Sequence, residues 1–282
     1  QLFLEPVGHR NASSLVRFVV PPGWRIASAL AETSDPAVYT APDYDALVDA
    51  PTWLGAFESV PFDVDGKPHF FVFGAGSHFS ADTMRWQTEQ LATVVRTAAA
   101  IFGGLPYDKY LFFQLPDTAE SDAGGALEHG NSFVGCCGPA DLGADRYTAH
   151  EFFHLWNVKR IRPAELWPYD YARPVETPSL WVSEGVSEYY GGLIAYRAGL
   201  ATDTAFIGTL GLTMTSIARK EERLFVSPSD ASMATWRGYL HEPVSYYRTG
   251  EILGALLDLS IIRDTQGRRG LDDVMRILYQ QF

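Results

Sequence analysis

The apolar positions of the first half of the chain fall in short runs, and those of the second half recur at helical spacing. Leu15-Val16-Arg17-Phe18-Val19-Val20 predicts a strand closed by Pro21-Pro22-Gly23. Val38-Tyr39-Thr40 and Thr52-Trp53-Leu54 predict shorter ones, and His69-Phe70-Phe71-Val72-Phe73 a strong one ending at Gly74. Over residues 83–102 the period changes. Met84, Trp86, Leu91, Val94, Val95 and Ala98 recur as one helix face does, and Gly103-Gly104 stops the run. Residues 110–115 read as a strand, and the Gly-rich stretch 124–138 as loop and edge strand. From Ala144 onward the pattern is helical. Helices are predicted over 144–159, over 180–197 behind a Thr177-Pro178-Ser179 start, and over 203–223, 245–263 and 271–281. Strands first and helices later make the fold class α+β.

Composition narrows this picture. The chain has 282 residues, 46% of them hydrophobic, enough for one large or two modest domains. No apolar run is long enough to span a bilayer. No signal peptide and no starting Met are visible, so the sequence reads as a processed or excised piece of a longer protein. A periplasmic and a cytoplasmic origin both stay open, as does the oligomeric state. The net charge of −12 argues against nucleic acid as a partner, because phosphate binding needs clustered Lys and Arg. The short basic group Lys159, Arg160 and Arg162 reads as an ion-pairing cluster. The two cysteines, Cys136 and Cys137, are adjacent and fit no zinc spacing; small residues in a tight segment or a vicinal disulfide both suit them.

The candidate chemistry lies in His150-Glu151-Phe152-Phe153-His154. On a helix, residues i and i+4 share a face, so two imidazoles so placed can reach one metal ion. Glu151 then sits where it can polarise a metal-bound water. A catalytic zinc takes three protein ligands and leaves a position for water. The candidate third ligand is Glu184 in Trp181-Val182-Ser183-Glu184-Gly185, thirty residues past His154. Its apolar neighbours make an unmatched charge there expensive. Glu188, four residues on, is the alternative ligand or a supporting carboxylate. His9, His69, His78 and His241 have no partner spacing and read as surface or core residues.

The segments HEFFHLWNVKRIRP and LWVSEGVSEYYGGL resemble the glycyl aminopeptidase family, the sixty-first metallopeptidase family. Pro22-Gly23-Trp24, residues 43–49, residues 105–110 and residues 245–250 extend the resemblance over most of the chain. It implies a thermolysin-like zinc peptidase catalytic domain, with a β-rich N-terminal part and a helical C-terminal lobe. Residues 1–50 would end an N-terminal β-domain and 51–282 would form the catalytic domain, with mixed sheet to about 143 and the helical lobe over 144–282. A PDZ domain would follow in a full-length protein. The cofactor implied is one Zn2+ per chain, held by His150, His154 and Glu184, with Glu151 as general base. The partner implied is a peptide with a free N-terminus. Glu128, with Gly125 and Ala126 on the same strand, would hold the substrate's α-amino group, a charge-assisted contact suited to an exopeptidase. His129 stands where relatives carry Asn, and its role is open. Tyr247 would stabilise the oxyanion, with Tyr246 as runner-up. The implied activity is release of a small N-terminal residue, Gly or Ala. A zinc endopeptidase with the same site, or a zinc-containing binding scaffold without turnover, are the alternatives.

Overall fold

The computed structural model describes residues 2–76, 79–115, 125–136, 146–236 and 244–282. Cys137, His78, His241 and Ala144 lie outside these residues. The chain divides into two compact units, residues 1–92 with 106–143, and residues 93–105 with 144–282.

The first unit holds the strands. β1 (Ser14–Arg17), β4 (Val38–Ala41) and β3 (Ala31–Glu32) form one small antiparallel sheet, and β2 (Arg25–Ser28) pairs with β5 (Thr52–Gly55) in another. Between β4 and β5 stands α1 (Tyr44–Val48), capped by Asp43, whose carboxylate accepts from Ala46 N at 2.7 Å. Leu30, Tyr39, Ala41, Tyr44 and Leu47 bury one another here. The main sheet runs β6 (Phe57–Val64), β7 (Lys67–Gly74), β8 (Tyr110–Gln114), β10 (Ser132–Cys136), β9 (Gly125–Glu128). β7, β8 and β10 are parallel; the outer pairs are antiparallel. β8 is central and buried along nearly its whole length, as its unbroken apolar run requires. β6 goes beyond the strands the sequence pattern predicts. It pairs with β7 through Asp65-Gly66, both at positive φ (54° and 75°), the backbone a tight hairpin demands. His69 on β7 is fully buried; Nδ1 donates to Lys67 O at 2.9 Å and Nε2 accepts from the Tyr107 hydroxyl at 2.6 Å.

α2 (Ala81–Phe102) contributes its end to the second unit, which is otherwise helical: α3 (Arg146–Phe153), α4 (Ser187–Arg197), α5 (Asp203–Ala218), α6 (Pro228–Trp236), α7 (Tyr246–Asp264) and α8 (Leu271–Gln281). α3 is shorter than the 144–159 expected, because residues 154–156 turn out of the helix. α5 ends at Ala218, and residues 221–224 follow as a 3-10 turn. Trp181–Val186, expected as plain α-helix, is a π-helix leading into α4. Aromatic stacking knits the unit: Phe102 on Trp156 at 4.4 Å and Phe153 on Tyr190 at 4.2 Å between centroids. Buried Asp258 accepts from Tyr189 OH at 2.6 Å and Leu271 N at 2.7 Å, joining α4, α7 and the start of α8. No described helix is long and apolar enough to cross a membrane.

Candidate metal centre

α3 and α4 pack antiparallel. Arg146 reaches Glu188, while His154 at the other end meets Glu184 and Ser187. Gly191 permits this closeness, since a Cβ there would stand 2.7 Å from Arg146 O and 3.0 Å from His150 Cβ. His154 lies just past the last residue of α3. It still keeps the i to i+4 bond, with its N–H donating to His150 O at 3.2 Å, so both imidazoles project from one face.

Three ligand atoms converge. His150 Nε2 and His154 Nε2 are 2.9 Å apart, and Glu184 Oε2 lies 3.4 Å from the first and 3.3 Å from the second. Atoms bound tetrahedrally to one zinc at about 2.0–2.1 Å stand roughly 3.3–3.4 Å from each other; the two Glu184 distances match that spacing, and the two imidazole nitrogens lie closer than it. The donor set, two imidazoles and a carboxylate, suits a metal ion of this type. His154 Nδ1 donates to Asn157 O at 2.7 Å, which leaves the Nε2 lone pair facing the cluster. His150 Nδ1 makes no hydrogen bond among the described residues; Glu188 Oε1 stands 4.0 Å away. Burial acts to raise the Glu184 pKa. The two imidazoles beside it override burial and hold the carboxyl well below the usual carboxylate range.

Glu151 is buried on α3 between the two histidines. Glu188 is taken up by Arg146, whose Nε and Nη2 reach its Oε2 at 3.1 and 2.5 Å. Arg146 Nη2 also reaches buried Glu251 at 2.8 Å, and Glu251 accepts from Thr213 of α5 at 3.0 Å. This chain of charges behind His150 is not signalled by the sequence pattern, although Arg146 lies one helical turn before His150 and so shares its face. Asn157 is likewise beyond the sequence reading.

Tyr247, in the first turn of α7, lies near His150 with ring centroids 6.4 Å apart. Burial, then the Glu184 charge and Tyr246, push its pKa far above the normal tyrosine value, so it stays a neutral donor. Tyr246 packs against it at 4.7 Å and is buried. The approach of α7 rests on two glycines. A Cβ on Gly250 would collide with Trp181 O and stand 2.7 Å from Gly185 Cα.

The other expected residues lie in the first unit. Gly125, Ala126 and Glu128 occupy β9, the last strand of the main sheet, and Glu128 is half-buried. His129 Nδ1 meets Asp49 Oδ1 at 3.1 Å, and Gly130 N donates to Asp49 Oδ2 at 2.8 Å, so His129 is a structural partner of that carboxylate.

The sequence is similar to known proteins in two stretches. The M61 glycyl aminopeptidase profile matches residues 145–253, and the Peptidase M61 N-terminal domain profile matches residues 1–56. Together they span more than half of the chain. None of the curated proteins is a significant sequence match. Among solved structures, an aminopeptidase N family protein from Idiomarina loihiensis superposes with a TM-score of 0.86 at 26% identity, covering 98% of this chain and 51% of that one. An M1 zinc metallopeptidase from Deinococcus radiodurans gives 0.58 at 18% identity, covering 96% and 57%. Yeast LTA4 hydrolase gives 0.61 at 13%, covering 96% and 40%. The last two similarities bear on fold alone. The chain spans about half the length of the solved relatives it matches.

Proposed function

This chain belongs to the M61 glycyl aminopeptidase family, and on that premise we propose that it is a zinc-dependent aminopeptidase releasing a small N-terminal residue, Gly or Ala, from peptides. The observation that carries the reading is the convergence of His150 Nε2, His154 Nε2 and Glu184 Oε2 within 3.4 Å of one another. His150, His154 and Glu184 are the proposed ligands of a single Zn2+. When bound, zinc supplies Lewis-acid polarisation of the scissile carbonyl and makes water acidic enough to attack near neutral pH.

The chain's own residues do the rest. Glu151 takes the proton from the attacking water and returns it to the leaving amine. The Tyr247 hydroxyl, held neutral and so a donor, hydrogen-bonds the oxygen on which negative charge develops. Glu188, fixed by Arg146, places a carboxylate charge behind His150, and Asn157 O fixes the His154 ring. Glu128 takes the substrate's free ammonium, and the main chain of Gly125 and Ala126, on the end strand, is suited to pair with an extended peptide.

The test is hydrolysis of glycyl- and alanyl-anilides against their N-acetylated counterparts. The reading expects cleavage of the free amines only, abolished by a chelator and restored by zinc. Equal cleavage of acetylated and free substrates would make the enzyme an endopeptidase type, and absence of any chelator-sensitive hydrolysis would remove the enzyme reading.

A further inference from the structure

We propose that the Asn157 side chain is a positioning residue that sets Glu184 against His154; this rests on the metal-centre reading above. The three ligands come from two elements, α3 with its following turn and the π-helix Trp181–Val186, and something must fix the distance between them. Asn157 touches both. Its main-chain oxygen accepts the His154 Nδ1 proton at 2.7 Å. Its side-chain Nδ2 donates to Val182 O at 2.9 Å and Ser183 O at 3.3 Å, and stands 3.1 Å from Ser187 Oγ. Residues 182 and 183 immediately precede Glu184, so a shift of their carbonyls moves the carboxylate.

The physical need for this contact comes from the π turn. Bonding five residues ahead widens the helix and alters how its carbonyls are satisfied, and a buried carbonyl without a donor is costly. Here side chains add donors at these carbonyls: the Asn157 amide, and the Ser187 hydroxyl, which donates to Ser183 O at 2.6 Å. Asn157 is only 2% exposed, so water cannot replace its amide at these carbonyls. The two halves of the residue are separable. Any amino acid at 157 keeps the carbonyl that holds His154, and only a side chain with a correctly placed N–H keeps the bonds to Val182 O and Ser183 O. Asn157→Asp preserves size but turns an acceptor toward two carbonyl oxygens.

The experiment measures metal affinity by chelator competition, the visible spectrum of the Co2+-substituted protein and the melting temperature of the metal-free protein. Asn157→Asp is expected to weaken metal binding about 10- to 100-fold and to change the Co2+ spectrum. Ser187→Ala, which serves if Asn157→Asp does not fold, is expected to weaken binding several-fold. In a Glu184→Ala background, Asn157→Asp should cost little further affinity, because it acts through Glu184. Wild-type affinity and spectrum in both single variants would overturn the inference and leave Asn157 a packing residue, whatever the melting temperature does. A full additional loss in the Glu184→Ala background would overturn it as well. A wild-type protein that binds no metal, or whose affinity is unchanged by His154→Ala, would instead remove the metal-centre reading, and this inference with it.

Discussion

Glu151 and Tyr247 are the residues on which the proposed chemistry depends, and they should fail in different ways. Glu151→Gln removes the base without touching a ligand. It is expected to lower kcat by about 10²- to 10⁴-fold while zinc content stays at the wild-type level in elemental analysis. Tyr247→Phe removes one hydrogen bond to the developing oxyanion. Steady-state kinetics should show kcat down by about 10²-fold or more and KM little changed. A third residue tests folding and not catalysis. Burial lowers the pKa of His69 from 6.5 to about 4. The unfolded chain therefore takes up the proton first. The contribution of neutral His69 is full above about pH 6.5 and is lost as the pH falls toward 4, a loss on the order of 3 kcal/mol. Urea denaturation at pH 7.5 and pH 5 should show that slope, and His69→Gln should flatten it. Legibility at this scale varied for a clear reason. His150, Glu151 and His154 were readable because their spacing carries its own geometry. Asn157 was not, because its importance depends on carbonyls of a π turn that no spacing announces. Arg146 and Glu251, 105 residues apart, meet only because α3 and α7 both pack on α4.

Among elements, the junction of the π-helix with α7 is the most demanding. Gly185 and Gly250 face each other so closely that the clash from an added methyl falls on backbone, which cannot swing aside. Gly250→Ala is expected to destabilise the protein by roughly 2 kcal/mol or more in chemical denaturation. Gly208→Ala, on the exposed side of α5 with nothing within 4 Å, should instead be neutral or stabilise by up to about 1 kcal/mol. The same contact explains what the pattern of apolar residues could and could not deliver. The helices over 245–263 and 271–281 were legible, since periodicity and end signals agree there. The π register was not, because a stretch of six residues is too short to tell a wider turn from an α-turn. α6 is too short to establish a period. β6 was missed although Asp65-Gly66 is a hairpin signal, because Pro61 in the middle of Phe57–Val64 argues against a strand.

At the scale of the molecule, the order of elements along the chain was enough for the α+β class, with strands before helices. It could not reveal that residues 93–105 join the second unit, since α2 is one unbroken helix by pattern. A metal held by residues from α3 and from the turn before α4 should stabilise the folded chain as a whole. Free zinc at about 100 times its dissociation constant is expected to add about 2.7 kcal/mol, read as a rise in melting temperature that a chelator reverses. The account rests most directly on zinc content per chain in the purified protein and in Glu184→Ala, measured by elemental analysis after exhaustive dialysis. The result it expects is one equivalent of zinc in the wild type and a large loss in Glu184→Ala. No zinc in the wild type, or an unchanged equivalent in Glu184→Ala, would contradict it.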